Sequence, residues 1–95
     1  MLPKEELNKV VELAKKYKIG KVYLVGSILN SEPSEVNDYD FAIDGYPPGV
    51  FFKFYGELFM AMPKGVDLID LSGEETLFKN IIEEEAKLIY DRTRI

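Results

Sequence analysis

Between Asp38 and Asp44 the chain reads DYDFAID, an alternation that leaves little freedom in how it can fold. Along a strand, successive side chains point to opposite faces, so Tyr39, Phe41 and Ile43 share one face while Asp38, Asp40, Ala42 and Asp44 share the other. The first set must be covered by a core. The second set cannot be, because unpaired carboxylates are expensive to bury. The segment therefore predicts a strand in a sheet with one face packed and the other left open at an acidic end.

The flanking sequence supplies the rest of such a sheet. KVYLV at 21–25 is short and β-branched and reads as a buried strand; VDLIDL at 66–71 reads as a third. Helical spacing is clear elsewhere. Leu7, Val10, Val11, Ala14 and Tyr17 draw one stripe over 3–18, with Glu5 and Glu6 at the start, Lys15, Lys16 and Lys18 at the end, and Gly20 as the expected left-handed stop. YPPG at 46–49 is a breaker. A second helix is predicted over 49–62, with Phe51, Phe54, Tyr55, Leu58, Phe59 and Met62 facing in, and the Lys64-Gly65 pair ends it. Ser72 and Glu75 have capping-box spacing, which predicts a third helix from about 73 to 86 with Leu77, Phe78, Ile81 and Ile82 inward. KLIYD at 87–91 reads as an edge strand or a helix tail. The expectation is a single α+β domain over 1–95, a mixed sheet with helices packed on one side.

Composition narrows the chemistry. The chain has no cysteine and no histidine, which excludes disulfides, thiol chemistry, Cys/His zinc sites and histidine acid–base catalysis. Any reaction must run on carboxylates, hydroxyls, lysines, arginines or a metal held through oxygen. A net charge of −5, with no basic stripe, argues against a long nucleic acid as partner. No apolar run approaches the roughly 20 residues needed to span a bilayer, and the N-terminus lacks the apolar core of a signal peptide, so a cytoplasmic protein without membrane contact is expected.

Three features point to one site. Gly26-Ser27 closes the first strand, where a glycine allows close backbone approach and a serine offers a hydroxyl and an amide to a phosphate. A ten-residue loop then leads to Asp38-x-Asp40, two carboxylates about 7 Å apart on one face, which repel each other unless a hard cation lies between them. Asp67 places a third carboxylate amid apolar residues. Asp70, three positions on, faces the other way; Asp44 shares the face of the pair but lies at the strand's far end.

This combination, GS at 26–27, DYDFAI at 38–43 and VDLIDL at 66–71, resembles the minimal nucleotidyltransferases (MNT) of the DNA polymerase beta superfamily, over nearly the whole chain. The resemblance implies a nucleotidyltransferase fold in which Asp38, Asp40 and Asp67 bind Mg²⁺, two ions in all, while Gly26 and Ser27 hold ATP or another nucleoside triphosphate. It further implies a protein adenylyltransferase that attaches AMP to a hydroxyl on a helical HEPN-domain partner, as antitoxin to a toxin. The family's arginine after Gly-Ser is not matched, because the loop ILNSEPSEVN has no basic residue. That leaves Lys21, Lys53, Lys64 and Arg92 as the candidate cations, and it favours an alternative function: a catalytically weak module that neutralises its partner by masking it. Modification of a small molecule ranks third, for want of a second domain. Phe52, Gly56 and Met60 recur at four on the second helix beyond its core stripe, an apolar face available for a partner or a homo-oligomer.

Overall fold

The computed structural model describes residues 2–73 and 76–94. The first helix, α1, runs Lys4–Lys16 and buries Val10 and Ala14 from the predicted stripe. It stops earlier than the glycine signal implies. Lys18 takes the left-handed conformation at φ 57°, and the amides of Lys18 and Ile19 donate to the carbonyls of Lys15 and Ala14 at 3.3 and 2.9 Å. That is the double bond of a Schellman ending, with buried Ile19 over buried Ala14 supplying its apolar contact. Gly20 has another task. A Cβ there would lie 2.6 Å from the Asp44 carbonyl oxygen, so glycine allows the strand to start against its neighbour, and the Gly20 amide donates to the Gly45 carbonyl at 2.7 Å.

Strand β1 is Lys21–Val25, β2 is Asp38–Asp44, β3 is Gly65–Asp70 and β4 is Lys87–Asp91; they form one sheet in the order β3-β2-β1-β4. The β1/β2 and β1/β4 pairs are antiparallel, whereas β2 and β3 are parallel, connected through helix α2 at Phe51–Ala61. The mixed sheet is therefore as expected, and KLIYD is an edge strand. Helices α1 and α2 cover the face carrying Val22, Leu24, Tyr39, Phe41, Ile43 and Val66, the main core. The expectation of helices on one side holds for these two. Helix α3, Thr76–Glu85, lies over the other face, where Ile82 and Ala86 pack with Tyr23, Ala42 and Leu71.

Three inward assignments do not hold. Leu77 and Ile81 on α3 are 72% and 47% exposed, because among the described residues this short helix meets the sheet through Lys79 and Ile82, and Phe59 on α2 is 55% exposed at the margin of a core already filled by Phe54 and Leu58. Glu75 of the expected capping box and the Phe78 side chain fall outside the described residues. Among the described residues no helix is long and apolar enough to cross a membrane.

The loop between β1 and β2 forms two short 3₁₀ turns, Gly26–Leu29 and Pro33–Glu35, with Ile28 and Val36 buried as anchors. Lys64, at the entrance to β3, donates to the carbonyls of Pro33 and Val36, the latter at 2.7 Å, and lies 5.9 Å from the Tyr39 ring centroid. It ties the loop down just before Asp38. Lys64→Met should cost about 1–2 kcal/mol through two carbonyls losing a charged donor. A chemical-denaturation midpoint equal to that of the wild type would show that other contacts hold the loop.

Candidate functional site

The register of β2 against β3 sets the site. In this parallel pair Asp40 stands opposite Asp67 and Asp38 opposite Gly65, so the acidic face predicted for β2 continues onto β3. Asp38 and Asp67 are exposed and Asp40 is half-buried. Burial raises the Asp40 carboxyl above its usual range, and the neighbouring Asp67, close enough to share a proton with it, raises it further, with a smaller push from Asp38. Among the described residues no lysine or arginine forms an ion pair with any of the three.

Two glycines make room for these carboxylates. Gly26 sits at φ +80° where β1 turns into the loop, and a Cβ there would come within 2.3 Å of an Asp40 carboxylate oxygen. At Gly65 a Cβ would stand 2.2 Å from Asp38 Oδ1. Sequence reading found Gly26 but took Gly65 only as a helix stop. Its second role depends on the β2/β3 register, which no local signal reveals. Ser27 follows on the exposed first turn, beside the same sheet end.

Beside Asp40 and Gly26 opens a cleft of about 600 Å³, a size ordinary for small-ligand sites. Val25, Leu29, Ile69 and Ile82 form apolar walls, while Asn30, Asp40 and Glu85 supply the polar groups. Leu29, Asn30, Ile69, Ile82 and Glu85 were not foreseen; they come from the β1–β2 loop, β3 and α3 and meet only in the fold. No basic side chain lines the cleft among the described residues.

The remaining candidates fall away from it. Asp44 pairs with Lys79 at 2.7 Å and ties α3 to the sheet. Asp70, on the opposite face from Asp67, accepts from the Tyr46 hydroxyl at 2.5 Å and from the Ser72 amide at 2.9 Å, fixing the turn after β3. Lys64 is committed to the loop. Lys21, Lys53 and Arg92 are not among the residues of the cleft wall.

The donor set suits a hard divalent cation: carboxylate oxygens only, unpaired with any base, and an Asp40 whose repulsion from Asp67 a cation would relieve. Among the described residues no three acidic side chains stand ready to hold an ion alone. Asp40 and Asp67 are adjacent and Asp38 is one step along the strand, so a cation there would complete its shell with oxygens of a bound ligand, as Mg²⁺ commonly does.

Residues 8–95 match the family model described as Polymerase beta, Nucleotidyltransferase. No curated relative matches the chain in sequence. Among solved structures, a tri-AMPylated HEPN toxin of Shewanella oneidensis in complex with MNT antitoxin gives a TM-score of 0.66 at 20% identity, over 95% of this chain and 73% of that one. An MntA–HepT toxin–antitoxin structure gives 0.67 at 22% identity, covering 97% and 75%. A toxin–antitoxin structure with AMP-PNP gives 0.69 at 22%, covering 93% and 75%.

Proposed function

We propose a function from one premise: this chain belongs to the polymerase beta nucleotidyltransferase family. The reading is a Mg²⁺-dependent transferase that moves a nucleoside monophosphate, AMP in its sharpest form, from a nucleoside triphosphate to a hydroxyl on a partner protein. The partner is a HEPN-type toxin, which the modification neutralises in the cytoplasm. The observation that carries the reading is the Asp40–Asp67 pair beside Gly26, at the mouth of a cleft with apolar walls. Fold neighbours crystallised as an AMPylated toxin with its antitoxin, and with AMP-PNP, support the nucleotide and the partner.

In this reading the acceptor oxygen attacks the α-phosphorus, the α–β phosphoanhydride bond breaks, and pyrophosphate leaves with the bonding electrons while the hydroxyl proton passes to solvent. Asp38, Asp40 and Asp67 would hold the metal, which supplies charge neutralisation at the phosphates and a lowered pKa for the acceptor hydroxyl. Gly26, lacking a Cβ, lets the Asp40 carboxylate lie against the end of β1, where a cation it held would draw a phosphate to the exposed amide and hydroxyl of Ser27. Val25, Leu29, Ile69 and Ile82 would enclose the nucleoside, with Asn30 the uncharged side chain able to hydrogen-bond it.

The lack of a basic side chain on the cleft wall among the described residues favours a second reading, in which the protein neutralises its partner by masking it and turns over slowly or not at all. Calorimetric titration separates them. ATP should bind in the presence of Mg²⁺ and not in its absence, and the Asp38→Asn, Asp40→Asn double variant should lose that binding. A wild-type protein silent toward every triphosphate, alone and in complex with its partner, would leave masking as the function.

A further inference from the structure

Helix α2 carries an uncovered apolar face built symmetrically about a glycine. Phe52 and Met60 are 81% and 85% exposed and lie four residues before and after Gly56; Phe59 adds a third large side chain on the same face. Among the described residues nothing lies within 4 Å of where a Cβ on Gly56 would stand, so the centre of the face is a notch. Phe52 is not a loose side chain, since its ring meets that of Phe51 edge-on at 5.2 Å.

We infer that this face is a dimer interface, in which the α2 helices of two copies cross antiparallel at Gly56. The spacing is self-complementary under a two-fold axis, as an isologous contact requires. In an antiparallel crossing, residues at equal distances before and after the crossing point come opposite each other, and a helical wheel puts Phe52 and Phe59 on one flank with Lys53 and Met60 on the other. Phe52 of one copy then meets Phe59 of its partner, and the Lys53 stem covers Met60, each contact occurring twice. The glycine lets the two backbones approach.

The charges agree with a second copy as the occupant. Lys53 and Glu57 lie on the same flank, three residues before and one after Gly56, so at 1.5 Å rise per residue they come within about 3 Å along the axis across the interface. Each copy thus offers a lysine to its partner's glutamate, which already accepts from Lys16 at 2.9 Å. The two Lys53 ammonium groups sit at opposite ends of the crossing. At about 200 Å² per large side chain, the three exposed residues contribute roughly 400 Å² per copy. That falls below the roughly 800 Å² per partner of a stable interface, which predicts a dimer that forms in the micromolar range and dissociates on dilution.

Sedimentation equilibrium across dilution should show mass rising from 10.9 kDa toward twice that value. Phe52→Glu should remain monomeric at every concentration with an unchanged circular dichroism spectrum. Because the chain has no cysteine, single cysteines report the geometry without background. Gly56→Cys should form an intermolecular disulfide under mild oxidation, while Lys53→Cys, whose two copies lie about 9 Å apart along the axis, should not. A wild type that stays monomeric throughout, a Phe52→Glu variant that dimerises like the wild type, or Lys53→Cys cross-linking as fast as Gly56→Cys would each overturn the proposal.

Discussion

Replacing Asp40 with asparagine is expected to cut nucleotidyl transfer by at least about 10²-fold and to leave the fold as stable as the wild type or more so. Both effects have one origin. The Asp40 carboxylate is half-buried beside Asp67 with Asp38 close by, and its pKa is raised, so ionising it costs the folded state. The sign follows from linkage: a carboxyl with a raised folded pKa destabilises the fold when charged. That cost is absent below the ordinary value of 3.8, grows as pH climbs toward the raised folded value, and is constant above it. Asparagine carries no such cost, so the thermal advantage of the variant should be largest at neutral pH and vanish in acid. Transfer should follow the opposite course. It requires the ionised carboxylate, for which proton and metal compete, so at limiting Mg²⁺ its acid limb should lie above the ordinary carboxylate range, and it should move down as Mg²⁺ is raised and in Asp67→Asn, whatever activity that variant retains. A variant that melts earlier at neutral pH, or transfers at the wild-type rate, would mean that Asp40 holds the sheet together instead of holding a charge in readiness.

The alternation at Asp38–Asp44 was legible because a two-residue period leaves one way to place the strand, and the structure has that strand with those limits. The β1 strand was legible for a related reason, since a five-residue β-branched run is too short for a helix. Errors arose where a local signal competed with tertiary packing. Gly20 looked like a helix stop, but its missing side chain serves the close approach of Asp44, and Lys18 accepts the left-handed turn instead. The α3 periodicity was real and Ile82 faces in as expected, but Leu77 and Ile81 point outward, because among the described residues Lys79, Ile82 and Ala86 meet the sheet. The acidic members of the site could be read from the chain, as they sit on strands with known facing. Its walls could not, because Leu29, Ile69, Ile82 and Glu85 become neighbours only once the crossover through α2 and the return of α3 are known.

The two glycines beneath the carboxylates give the other large expected effect, and comparing them separates geometry from stability. Gly26→Ala meets two obstacles. The residue sits at φ +80°, where a non-glycine side chain costs about 1–2 kcal/mol, and the new methyl would stand 2.3 Å from the Asp40 carboxylate with Asp40 Cβ only 3.3 Å away. The side chain of Asp40 cannot clear that contact by rotating its far end alone. The variant should therefore lose about 1–3 kcal/mol in denaturant unfolding and about 10²-fold or more in transfer, as the metal-facing carboxylate is pushed out of register with Asp67. Gly65→Ala differs. Its φ lies outside the left-handed region, and the atom it would meet at 2.2 Å is the far end of the Asp38 side chain, with the carboxyl carbon at 3.4 Å. Asp38 can swing aside, so stability should change little while the metal dependence of transfer weakens. If Gly65→Ala proved as destabilising as Gly26→Ala, Asp38 would be fixed by the fold and not free to move. If neither variant altered transfer, the space these glycines leave would serve the packing of β1 to β3 and not the chemistry.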